Sequence, residues 1–292
     1  MRLVALYLRA RSRRHFATTD GARRMLAREK TTSAPPERLR ARHVLSYALH
    51  EGFGCWTVEP QHPNPSRTVI YLHGGAYVNE IFPQHWKLIE QIADAGARVV
   101  VPVYGLAPQH GYQDAYRLLT AVYRSTLSTT LPADIAIAGD SAGGGLALGF
   151  AQTLVSTGLP QPGRLVLISP WLDLTLQNPD IVRVARKDPW LAVPGARECG
   201  RAWATGDDPH VPQLSPIYGT LAGLAPIDVY IGTRDILLSD VLLLRDRVPD
   251  DADITLTVCP GGVHVYPLTP TREGRAESAR IVQCLAAERL EA

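Results

Sequence analysis

A chain of 292 residues, 46% hydrophobic and 20% charged, has the composition of a globular protein. It is long enough for a sizeable core, and an α/β fold of this size commonly forms one domain. No apolar run approaches the ~20 residues of a membrane helix, and Cys55, Cys199, Cys259 and Cys284 lack metal-ligand spacing, which argues against a bilayer-spanning fold or a thiolate metal centre. The net charge of +2 hides an asymmetry: residues 1–42 carry 12 Lys/Arg against 3 Asp/Glu, and the rest of the chain carries 18 against 25.

In chain order, the start reads as an amphipathic, basic helix whose six-residue apolar run is too short for a secretory signal, so a cytoplasmic location is expected. Its expected role is a lid packed on the core with arginines in water; membrane-surface contact is the alternative. Strands are expected at 43–49 and 55–59, as an antiparallel edge pair, and then at 68–72, 98–103, 134–138, 164–169, 227–232 and 254–258. The last six are short β-branched runs without clean alternation, as buried parallel strands should be. Helices are expected between and after them at 85–96, 112–127, 141–157, 239–248 and 272–290. This alternation predicts an eight-stranded, mostly parallel sheet flanked by helices. Residues 171–220 interrupt it. So long an insertion should be structured, and with residues 1–42 it is expected to form a helical cap over a core of 43–170 and 221–292.

The chemistry-bearing residues fall at strand ends. Gly139-Asp140-Ser141-Ala142-Gly143 follows the strand at 134–138 and matches G-x-S-x-G, a strand-turn-helix that presents an exposed serine hydroxyl. His73-Gly74-Gly75-Ala76-Tyr77 follows the strand at 68–72, and its glycines free backbone N–H groups to face a developing oxyanion. A serine nucleophile needs a base and an orienting acid. Asp235 follows the strand at 227–232, and His264, the one histidine beyond it, follows the strand at 254–258. Asp240 competes for the acid role, but its position before Val241-Leu242-Leu243-Leu244 suits a helix N-cap or first turn.

These segments, with Tyr104-Gly105-Leu106-Ala107-Pro108, Ser169-Pro170-Trp171-Leu172-Asp173 and Asp235-Ile236-Leu237-Leu238-Ser239-Asp240, resemble the hormone-sensitive-lipase-like family of α/β-hydrolase esterases over roughly residues 43 to 290. The resemblance implies the α/β-hydrolase fold and a Ser141, Asp235, His264 triad. It also implies an oxyanion hole from the N–H groups of Gly74, Gly75 and Ala142, a bracing role for His73 and a structural one for Asp140. Short- to medium-chain esters follow as substrates, with no metal or organic cofactor. Lactone, thioester or amide cleavage uses the same constellation. Some relatives are small-molecule receptors that lost the histidine, which this chain retains. Gly105 and Gln109 depart from the family's arginine and acid, which puts loop rigidity in doubt. Tyr77, Trp171 and Trp190 are candidate acyl-pocket residues. The expected partner is a small-molecule ester and not nucleic acid; a homodimer and a peripheral membrane contact, or a lipid-binding role, stay open.

Overall fold

A computed structural model describes residues 1–31, 34–61, 65, 67–249 and 252–286. The eight strands are β1 (Leu45–His50), β2 (Phe53–Val58), β3 (Thr68–Leu72), β4 (Arg98–Pro102), β5 (Ile135–Asp140), β6 (Arg164–Ile168), β7 (Ile227–Gly232) and β8 (Ile254–Cys259). They form one sheet in the order β1-β2-β4-β3-β5-β6-β7-β8, antiparallel at β1-β2 and β2-β4 and parallel thereafter. Four helices precede the sheet: α1 (Arg2–Arg11), α2 (Arg13–Phe16), α3 (Thr19–Ala27) and α4 (Glu37–Arg42). Then come α5 (Pro83–Asp94), α6 (Tyr112–Leu127), α7 (Ala142–Ser156), α8 (Ile181–Ala185), α9 (Val193–Ala204), α10 (Leu238–Asp246) and α11 (Arg272–Ala286). The expected extension of the last helix to residue 290 lies outside the described residues.

Alternation along the buried strands sorts side chains to the two sheet faces. Ile70, Leu72, Ile135, Ile137, Leu165 and Leu167 join the core with α6, α7 and α10; Val69, Tyr71, Ala136, Ala138, Val166 and Ile168 join the core with α5 and α11. Each fully buried Leu or Ile contributes about 1.5–3 kcal/mol, which is why β-branched runs without polar alternation become the sheet centre.

The insertion holds α8 and α9, and α9 packs on α2 and α3 from the N-terminal segment. Gly195 permits this approach, since a Cβ there would lie 2.5 Å from the Phe16 backbone. Helix α1 departs from the simple lid expectation. Leu8, Val4 and Ala5 pack inward, yet Leu3, Leu6 and Tyr7 face outward, with Leu3 81% exposed. Its apolar residues serve two faces, not one. No helix among the described residues is long and apolar enough to cross a membrane.

Candidate active site

Parallel pairing sets the site at the carboxyl ends of the central strands. Leu72 pairs with Gly139, so the loop after β3 lies beside the turn after β5. At that turn Ser141 takes φ 53° and ψ −120°, a conformation that strains a non-glycine residue and points the side chain off the sheet edge. Two flanking positions must lack a Cβ. One at Gly143 would sit 2.0 Å from the Leu72 carbonyl oxygen, and one at Gly139 would sit 2.4 Å from that of Gly143. The Ser141 N–H donates to the Ile168 carbonyl (2.8 Å), and its carbonyl accepts from Trp171 N (2.9 Å) and Gly145 N (3.1 Å).

The structure brings Ser141, His264 and Asp235 together. His264 Nε2 lies 2.9 Å from Ser141 Oγ, and His264 Nδ1 lies 2.8 Å from Asp235 Oδ2. With Nδ1–H donating to the carboxylate, Nε2 is free to accept the serine proton. All three side chains are buried. Burial alone lowers the imidazole pKa, but the charge and hydrogen bond of Asp235, with further help from Asp188 and Asp140, raise it above the ordinary value. Asp235 is anchored by Leu237 N, which donates to Oδ1 (3.0 Å). The loop carrying His264 is anchored by Val265 N, which donates to Ser169 Oγ (3.0 Å).

Asp240 stands apart. Leu237, not Asp240, occupies the N-cap of α10, and Asp240 is a buried first-turn residue whose Oδ2 has no hydrogen-bond partner among the described residues. Of the two expected positions, N-cap or first turn, the structure gives it the first turn. Burial pushes its carboxyl up to about 7.

The loop after β3 requires a correction. The Gly74 N–H donates to Asp140 Oδ1 (2.9 Å), so it is committed and cannot face an oxyanion. Asp140 also accepts from Tyr71 Oη (2.8 Å) and His85 Nε2 (3.2 Å). Burial would raise its pKa, but His85 and these hydrogen bonds outweigh that and hold it low. Next in the chain, Gly75 and Ala76 adopt φ 130° and 56°. Their N–H groups, like that of Ala142 at the start of α7, find no acceptor among the described residues. The Gly75 and Ala142 expectations therefore stay geometrically open, and Ala76 presents a further backbone N–H beside them with no acceptor among the described residues. Ala76 is not among the expected donors, although a backbone N–H can serve whatever its side chain.

His73 hydrogen-bonds through Nδ1 to the Gly74 carbonyl (2.7 Å) and stacks on Tyr104 at 4.4 Å, and burial drives its pKa down to about 4. It is a neutral strut. Tyr104 Oη donates to the His73 carbonyl (2.6 Å), and Ala107 N donates to the Tyr77 carbonyl (2.9 Å). The loop at 104–108 thus braces the glycine loop without the family's arginine. His110 fills the space over Gly105, where a Cβ would lie 2.4 Å from its ring, and His110 is itself held by Asp114 (3.1 Å).

The three candidate pocket residues part ways. Tyr77 and Trp171 are buried in an aromatic stack that includes Trp203, with Tyr77 and Trp203 rings 4.4 Å apart and 2° from parallel. Tyr77 Oη also donates to the Ala142 carbonyl (2.8 Å), so it braces the serine turn. Trp190 is part-exposed and meets the His264 ring edge-on, with centroids 5.5 Å apart. Among the described residues no group of three or more His, Cys, Asp or Glu is arranged to hold a metal ion.

Residues 69–268 match a family described by its alpha/beta hydrolase fold. A triacylglycerol lipase of Mycobacterium tuberculosis is 30% identical over 244 residues, 81% of this chain and 50% of that one. This chain spans about half the length of that relative. An acetyl-hydrolase of Streptomyces hygroscopicus is 32% identical over 216 residues, 72% of each chain. The crystal structure of an esterase from the bacterial hormone-sensitive lipase family superposes with a TM-score of 0.78 at 29% identity, covering 91% of this chain and 94% of that one.

Proposed function

The chain belongs to the α/β-hydrolase family, and we propose that it is a carboxylesterase of the hormone-sensitive-lipase-like branch, working through Ser141, His264 and Asp235. The observation that carries this reading is the continuous relay from Ser141 Oγ through His264 to Asp235, at 2.9 and 2.8 Å, with the serine held in a strained turn. Ser141 Oγ attacks the ester carbonyl as its proton passes to His264 Nε2. Asp235 holds the tautomer and stabilises the imidazolium. The N–H groups of Gly75, Ala76 and Ala142 receive the negative oxygen of the tetrahedral intermediate. His264 then protonates the departing alcohol. It next takes a proton from water, whose attack on the acyl-serine releases the acid.

Short acyl groups fit this site best. The Trp190 ring crowds His264, the aromatic stack occupies the space behind the serine turn, and the Streptomyces relative is named an acetyl-hydrolase. The cap of residues 1–42 and 171–220 is proposed to enclose the acyl chain. A fluorophosphonate probe should label Ser141 alone, and p-nitrophenyl acetate and butyrate should be hydrolysed. A protein that neither labels nor turns over these esters would refute the reading.

A further inference from the structure

Behind the triad lies a fully buried carboxylate that the mechanism above does not use. Asp188 belongs to the cap, in the turn between α8 and α9, and has no exposed surface. Its Oδ1 accepts the N–H groups of Trp190 (2.7 Å) and Leu191 (2.8 Å). Its Oδ2 crosses to the core and accepts the N–H of Ile236 (3.0 Å), the residue directly after Asp235. The same turn is gripped from outside by Arg13 of α2, which donates to the carbonyls of Asp188 and Leu191. One side chain therefore touches the turn that lays Trp190 against His264 and the loop that carries the acid.

We propose that Asp188 is a positioning residue of the triad: its carboxylate ties the cap turn bearing Trp190 to the loop bearing Asp235, and its negative charge joins that of Asp235 in stabilising the His264 imidazolium. The proposal rests on the esterase reading of Ser141, His264 and Asp235. Three acids act on the imidazole through their charge, from three elements: Asp235 after β7, Asp140 at the end of β5, and Asp188 from the cap. Asp188 in turn faces Asp235 and His264, with the Arg13 guanidinium at its backbone. Burial and the charge of Asp235 push the Asp188 carboxyl up to about 6, while the three N–H donors on its two oxygens favour the ionised form. Ionised, it accepts from all three N–H groups. An amide could keep Oδ1 on Trp190 and Leu191 but would turn its NH₂ toward the Ile236 N–H, donor against donor.

The test compares Asp188→Asn with Asp188→Glu on p-nitrophenyl butyrate across pH. If Asp188 contributes about one pKa unit to the imidazolium, Asp188→Asn loses about tenfold in kcat. Its acid limb of kcat/KM then moves down by about one pH unit, because His264 must be neutral to act as base. Its KM stays within about threefold. Asp188→Glu, which keeps the charge but displaces the turn, should lose rate with its limb in place. An Asp188→Asn limb that coincides with the wild-type limb would overturn the proposal and leave Asp188 as a loop tie. Should Asp188→Asn fail to fold, the imidazole ¹⁵N resonances of His264 in the wild-type protein give the answer. Two steps are expected, belonging to the coupled pair of His264 and Asp188, and a single step would overturn the proposal. Fluorophosphonate labelling of Ser141 in the wild-type protein, beside the pH profiles of the variants, separates the two readings. A wild-type protein that does not label refutes the esterase reading; one that labels while Asp188→Asn shows no limb shift refutes only the role of Asp188.

Discussion

Replacing Asp240 by asparagine should make the protein more stable, and by an amount that depends on pH. The side chain is 1% exposed, one carboxyl oxygen has no partner among the described residues, and burial raises its pKa to about 7, with the Asn178 side chain offsetting only part of the effect. An aspartate in the unfolded chain titrates near 3.9. Between those values the folded protein holds a proton that the unfolded chain has released, so stability falls as pH rises through that window. About three units at about 1.4 kcal/mol each come to about 4 kcal/mol at pH 8, and to less than half of that at pH 5. The neutral amide escapes this cost. Asp240→Asn should therefore gain about 4 kcal/mol at pH 8, roughly 10 °C in Tm, and clearly less at pH 5. Urea unfolding followed by tryptophan fluorescence at both pH values measures it. Activity should stay within about twofold, because His264 is paired with Asp235. A stability loss of equal size at both pH values would refute the reasoning and restore a capping role. A fall in kcat of several decades would make Asp240 the acid.

Ser141→Ala should cost on the order of 10⁶ in kcat and Asp235→Asn about 10⁴, with both proteins folded by circular dichroism; more than about a tenth of wild-type activity in either would remove that residue from the mechanism. Gly143→Ala should lower Tm and activity together, since its Cβ would fall 2.0 Å from the Leu72 carbonyl oxygen, and a variant with wild-type Tm and kcat would show that this contact is relieved without harm. The acid limb of kcat/KM should report a group titrating above 6.5, because the net effect of its surroundings raises His264, and a limb below 6.5 contradicts that balance. In a series of p-nitrophenyl esters, kcat/KM should peak between acetyl and about hexanoyl, each buried CH₂ adding only about 0.8 kcal/mol until the pocket is full. Trp190→Ala should shift the peak to longer chains, whereas a steady rise through dodecanoyl would mean that the cap does not close the site.

The fold and the chemistry at the strand ends were legible in the residues themselves because their causes are local. A β-branched run that lacks polar alternation has to be buried on both sides. A glycine on each side of Ser141 records a turn too tight for Cβ atoms, and chain order places an acid and then a histidine after it. The family resemblance gave Gly74 as an oxyanion donor, which failed, and the local reading of Asp240 as an N-cap or first-turn residue resolved to the first turn, and neither outcome could be read from neighbours alone. Whether an N–H is free depends on which carboxylate arrives beside it, and Asp140 reaches Gly74 across the pairing of β3 with β5. Whether a first-turn aspartate caps a helix depends on what covers it, and the folded chain buries Asp240 without a full set of donors. Asp188 had no signal in its neighbours at all. Its part in the site exists only where the cap, held by Arg13, meets the loop after β7, and hydrogen bonds between residues 48 and 175 positions apart are settled by packing, not by spacing along the chain.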